Sequence, residues 1–85
     1  MIRGQTKSGF KFEIKDDALN DWDLLELIDE LDDKPNYIVR IAKKLLGQEV
    51  YMDLKKHCTE NGKVLLTLMT NEVTEILNSN QETKN

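Results

Sequence analysis

Apolar and polar residues alternate strictly between Phe10 and Lys15. Phe10, Phe12 and Ile14 fall on one side, Lys11, Glu13 and Lys15 on the other, the period of two that marks a half-buried strand. Residues 2–6 form a companion segment across Lys7-Ser8-Gly9, with Ser8-Gly9 supplying the turn, so the pair predicts a β-hairpin. A lone hairpin is marginal in water and must lay its apolar face on something, for which the first helix is the nearest support. Without a third strand, both hairpin edges offer unpaired backbone groups.

Beyond the hairpin the apolar spacing changes from two to three and four. Leu24, Leu27, Ile28 and Leu31 make a core-facing stripe, while Trp22 and Leu25 widen the apolar arc to roughly 200° of the first helix. An arc that wide needs two neighbours, and the second can be internal or another protein. Asn20 reads as the N-cap, Asp23 stands at the third helical position, and the helix starts near Asp21. Asp16 and Asp17 can instead cap a single turn through Leu19. Asp32-Asp33-Lys34-Pro35 closes this helix, with Pro35 suited to the first turn of the next.

The second helix runs to about Leu46, with Ile38, Ile41, Ala42 and Leu45 inward, Arg40, Lys43 and Lys44 outward, and Gly47 as a C-terminal cap of positive φ. A third spans about 49–58 with Val50 or Tyr51, Leu54 and Cys58 inward, and Asn61-Gly62 then forces a turn. The last helix begins between Val64 and Leu68 and turns Leu66, Met69, Val73, Ile76 and Leu77 inward. After Asn78 the chain carries no apolar residue and reads as a mobile tail.

Charge sharpens this picture. The 85 residues carry a net charge of −4. Nine carboxylates and no Lys or Arg lie in residues 16–33, while the segments on either side are net basic. An acidic chain of this kind is a poor direct partner for nucleic acid. A domain of this size buries roughly 60 to 65% of its unfolded surface, enough for one modest core and no deep substrate cavity, which disfavours enzyme architectures. Cys58 is the one cysteine, so no internal disulfide forms, and a reducing, intracellular setting follows. No apolar run is long enough for a membrane span or a signal peptide core.

Candidate chemistry is correspondingly thin. Asp23, Glu26, Glu30 and Asp33 share one ridge of the first helix. A convex ridge provides neither the cleft of a paired-carboxylate acid/base site nor ligands converging on a cation, so it reads as a solvated face or a docking surface for a basic partner. His57 is the one histidine, and its adjacency to Cys58 does not match the ligand spacing of a zinc site. No catalytic residue, cofactor site or metal site is assigned. Trp22, Tyr37 and Tyr51 are amphipathic rings suited to a core edge or to a partner surface.

Taken in order, T-K-S-G-F-K-F-E-I at 6–14, N-D-W-D-L-L-E-L-I-D-E-L-D at 20–32, L-L-G at 45–47, N-G-K-V at 61–64 and E-V-T-E-I-L at 72–77 resemble the small tail assembly chaperones of long-tailed phages and prophages of Gram-positive bacteria. The resemblance reaches to about Leu77 and rests on structural rather than catalytic signatures. It implies a non-enzymatic protein of the host bacterial cytoplasm, absent from the mature virion. Such a protein binds the tape measure protein and keeps it soluble during tail assembly. It further implies a frameshifted, extended form that engages the tail tube subunit.

These readings combine into an α+β fold: one domain over 1–78, an N-terminal hairpin packed on about four short helices, and a disordered tail over 79–85. The expected protein-binding residues are Trp22 and Leu25 for apolar contact, with Asp23, Glu26, Glu30 and Asp33 steering basic client segments. Neither nucleic acid nor membrane is an expected partner, and a homo-oligomer coating one client would gain avidity. The alternative is a small acidic adaptor that masks a basic surface of a bacterial or phage protein.

Overall fold

The computed structural model describes residues 1–81. Its fold is α+β: strands β1 (Ile2–Gln5) and β2 (Lys11–Ile14) are followed by helices α1 (Trp22–Asp29) and α2 (Tyr37–His57). A second small hairpin, β3 (Thr59–Glu60) and β4 (Lys63–Val64), leads into α3 (Leu66–Gln81).

The first hairpin forms as its alternation predicts. β1 and β2 pair antiparallel with Ile2 opposite Ile14 and Gly4 opposite Phe12, and Phe10, Phe12 and Ile14 are buried. At the tip, the Thr6 N–H donates to the Phe10 carbonyl at 2.9 Å and the Gly9 N–H donates to the Thr6 carbonyl at 3.0 Å. Arg3 and Glu13 pair across the exposed face at 2.7 Å. Gly4 is required by space: a Cβ there would stand 2.5 Å from Cζ of Phe12, whose buried ring lies across the glycine.

The hairpin's support is α2 rather than α1, because β2 packs on α2. The apolar stripe of the short α1 is itself spent on α2. α2 is thus the central element, carrying α1, β2 and α3 against its sides. It contributes Ile41, Ala42, Leu45, Leu46, Tyr51 and Leu54 to the core, where they meet Leu24, Cys58, Val73, Ile76 and Leu77.

The two helices expected on either side of Gly47 are present as two helical stretches of α2. They meet at a kink, where the φ of 79° and ψ of 167° of Gly47 are not helical. The positive φ expected at this glycine is present, but the ψ is extended rather than that of a left-handed cap. The described residues therefore hold three helices, the second kinked at its middle.

α1 is shorter than its sequence suggests. Its N-cap is Asp21, not Asn20: Asp21 takes the extended conformation that a cap needs (φ −140°, ψ 111°) and accepts from the Leu24 N–H. Asn20 instead belongs to the preceding turn, its N–H bonded to the Asp17 carbonyl. At the other end α1 stops at Asp29, with Glu30 as C-cap and no basic residue in the last turn. Asp29, Glu30, Asp32 and Asp33 crowd the negative pole of the helix dipole, which disfavours carrying the helix on to Asp32.

At the far end, Asn61 (φ 53°) and Gly62 (φ 79°) have the paired positive values of a type I′ turn. They close β3 on β4, a pairing not anticipated beyond the turn itself. Leu66 was expected inward but is exposed at the start of α3. Val64, Leu65 and Leu66 are consecutive, and only Leu65 is half-buried, its N–H donating to the Cys58 carbonyl at 3.1 Å. α3 continues through Gln81, so residues 79–81, expected in the tail, are helical. The rest of that tail, 82–85, lies outside the described residues.

Glu72 of α3 is 7% exposed and takes two hydroxyls from the first hairpin's turn. Thr6 Oγ1 donates to Oε1 at 2.7 Å and Ser8 Oγ to Oε2 at 2.9 Å. One helical turn on, Glu75 accepts from the Lys7 N–H at 2.8 Å. Glu72→Ala is expected to cost about 2 to 3 kcal/mol in denaturant unfolding, because two hydroxyls lose a charged acceptor. Glu72→Gln keeps one acceptor oxygen, so its cost should fall between Glu72→Ala and wild type. Gly4→Ala is expected to cost roughly 1 to 3 kcal/mol by overpacking, and combining it with Phe12→Leu should recover part of that loss.

Candidate protein-binding surface

α1 sorts its side chains as its narrow stripe demands. Leu24 enters the core, and Leu27, Ile28 and, just past the end of the helix, Leu31 pack half-buried against it. Trp22 and Leu25, three residues apart and so neighbours on the outer face, are left 72% and 51% exposed. The wide arc therefore has one internal neighbour, and its second flank is open to solvent.

The carboxylates around this face are not a free acidic ridge. Asp23, Glu26 and Glu30 line a cleft with Leu27, and the opposite wall is Tyr37, Arg40, Lys43 and Lys44 of α2. Lys44 reaches Asp21 at 3.4 Å and Lys34 reaches Glu30 at 3.5 Å. Asp33 lies in the turn beyond the end of α1 rather than on the helical ridge where it was expected, since the helix ends before reaching it. One cation of α2, Lys44, is thus paired with an acid of α1's N-cap, and Asp23, Glu26, Asp29, Glu30, Asp32 and Asp33 all remain exposed.

A second apolar surface was not visible in the sequence. Ile38, Val39 and Ala42 of α2, Val64 of β4, and Leu66, Met69 and Val73 of α3 enclose a groove of about 210 Å³ with Tyr51 and Lys55 on its border. Val39, Val64 and Leu66 are exposed there, Leu66 at 75%. Three separated segments build this groove, so no single helical period announces it. The nearest signal was the Val64-Leu65-Leu66 run, too dense in apolar residues for every side chain to face the core.

The fold also brings His57 to Ser8, with Nε2 and Oγ 2.9 Å apart and the imidazole 5.3 Å from the Phe10 ring. The wiring is not that of an activated nucleophile. The hydroxyl proton of Ser8 is directed to Glu72, so its oxygen accepts from an Nε2–H and the histidine has no free lone pair facing it. Among the described residues no group of three or more His, Cys, Asp or Glu is arranged to hold a metal ion. Among the described residues no helix is long and apolar enough to cross a membrane. Cys58 is buried in the core, and desolvation, with the nearby Glu72 charge second, pushes its thiol above the usual range. It packs as a small hydrophobe.

No family model matches this chain, and neither curated proteins nor solved structures include a match. The functional reading therefore rests on the two apolar surfaces and the charges around them.

The position of α1 depends on Asp21. The Leu24 N–H, and after it Lys44, holds the Asp21 carboxyl below its ordinary value. A lowered folded-state value means that the stabilisation is complete above the unfolded carboxylate range and is lost as pH falls through the folded value. Asp21→Ala should therefore unfold at lower denaturant concentration at neutral pH, with the gap to wild type closing in acid. Asp21→Asn, still a competent cap, should lose less.

Proposed function

We propose that this chain is a non-enzymatic assembly chaperone of the tail-chaperone kind that its sequence resembles. It shields apolar helical stretches of a tape measure protein in the host bacterial cytoplasm until the tail tube encloses them. The observation that carries the reading is the exposure of Trp22 beside Leu25 on α1. A lone indole lying outside the core of so small a domain is the usual form of an interface anchor. Glu26 and Asp29, one helical turn beyond Trp22 and Leu25, add charge at the border of the patch and keep a loaded complex soluble. A longer, frameshifted product reaching the tail tube subunit belongs to the same proposal.

The charge-mimicking adaptor draws less support from this geometry, because Asp23, Glu26 and Glu30 face Arg40, Lys43 and Lys44 across a shared cleft. The two readings part on salt: capture through apolar contact should change little between low and high ionic strength, whereas charge mimicry should weaken steeply.

The decisive variant is Trp22→Ala with Leu25→Ala. Both side chains are exposed, so the double variant should melt cooperatively close to wild type. It should nevertheless capture a co-expressed tape measure fragment at least about tenfold less well, as expected for loss of an aromatic anchor. Undiminished capture by the folded double variant would remove this site from the mechanism.

A further inference from the structure

We propose that the groove between α2, β4 and α3 seats an amphipathic helix of another protein, one whose apolar face is bordered by carboxylates. The groove combines a buried floor with an open rim. Ala42 and Val73 are buried in it, while Val39, Val64 and Leu66 are exposed at its edge. A concavity of about 210 Å³ between two helices is the setting in which a third helix lays down its apolar stripe.

The length of the groove decides how much helix it takes. Leu66, Met69 and Val73 line it along α3, and that stretch of helix rises about 10 Å. A partner of matching length presents large apolar residues at i, i+4 and i+7, over two turns. The exposed apolar face of α1 offers only Trp22 and Leu25, about 4.5 Å apart along the helix axis. A longer helix from a different protein therefore fits the groove better than the chain's own α1, which stays free for its client.

Charge specifies the rest of the partner. No carboxylate lines the groove among the described residues, and Lys55 is the one charged side chain that does. Tyr51 stands beside it, with Lys43 and Lys55 each 5.7 Å from the ring centroid. Neither lysine has an ion-pair partner among the described residues. A row of Asp or Glu on the incoming helix meets both ammonium groups, whereas a row of Lys is repelled. The α1 face has the opposite border, Glu26 and Asp29, so the two surfaces select segments of opposite charge. This inference does not rest on the tail-chaperone reading, and its test needs no client.

The probes are two fluorescein-labelled synthetic helices, each with leucines at i, i+4 and i+7, one bordered by glutamates and the other by lysines. Their binding to the full chain is followed by fluorescence anisotropy at low salt. In the Trp22→Ala, Leu25→Ala variant, which leaves only the groove, the glutamate helix should bind as it does to wild type. The lysine helix should bind this variant at least about tenfold more weakly than the glutamate helix. Leu66 is exposed in the first turn of α3, where no acidic residue stands. Leu66→Glu should therefore remain folded, its carboxylate suiting the helix dipole, and should weaken binding of the glutamate helix by about thirtyfold or more. Lys55→Gln should weaken it about threefold at low salt and less at high salt.

A glutamate helix that does not bind wild type up to about 1 mM overturns the proposal. So does equal binding of the two helices by the Trp22→Ala, Leu25→Ala variant, or wild-type affinity in Leu66→Glu. Sedimentation of the wild-type chain without peptide supplies the remaining outcome. A mass that rises with concentration, and returns to that of the monomer in Leu66→Glu, would give the groove to a second copy and overturn the proposal as well. None of these results bears on client capture by the α1 face.

Discussion

The carboxylate of Glu72 ties together the two ends of this molecule. A two-stranded hairpin adheres to a helix through its buried face, but apolar contact has no direction and would tolerate sliding. Glu72 supplies direction: two hydroxyls of one turn, Thr6 and Ser8, reach its two oxygens, and Glu75 takes the Lys7 N–H one helical turn away. A buried carboxylate left without donors is costly, so displaced hairpin positions are penalised far more than the modest gain of each bond suggests. The hydroxyl of Thr6 also accepts the Phe10 N–H, so the clamp and the turn geometry stand or fall together.

Much of the architecture was legible because it is local. The period of two in β2 and the stripes of both halves of α2 appear in the structure at the expected residues. Gly47 marks the break between those halves. The misreadings have local causes too. Asn20 and Asp21 are both good caps, and only the backbone path, with Asn20 held in the preceding turn, selects Asp21. The length of α1 was read from its apolar spacing, which ignores the acids gathered at its negative pole.

What could not be read is what the chain joins at a distance. Glu72 looks in sequence like a solvent-facing glutamate, and its partners stand more than 60 residues away. The groove shares this property, being assembled from α2, β4 and α3. The electrostatic reading changes for the same reason. Nine carboxylates in succession suggest a strongly acidic face, yet folding sets α1 against the cations of α2, and the linear segregation of charge becomes a mixed cleft. Apolar exposure at Trp22 and Leu25 is left as the more distinctive property of α1.

Gly47 shows a constraint of another sort. Nothing lies within 4 Å of where its missing side chain would be, so packing alone would admit almost any residue there. Its mirror-image dihedrals are open to glycine and expensive for every L side chain. A site with ample room is therefore among the least substitutable in the chain. Empty space around a residue is thus no measure of its freedom to vary.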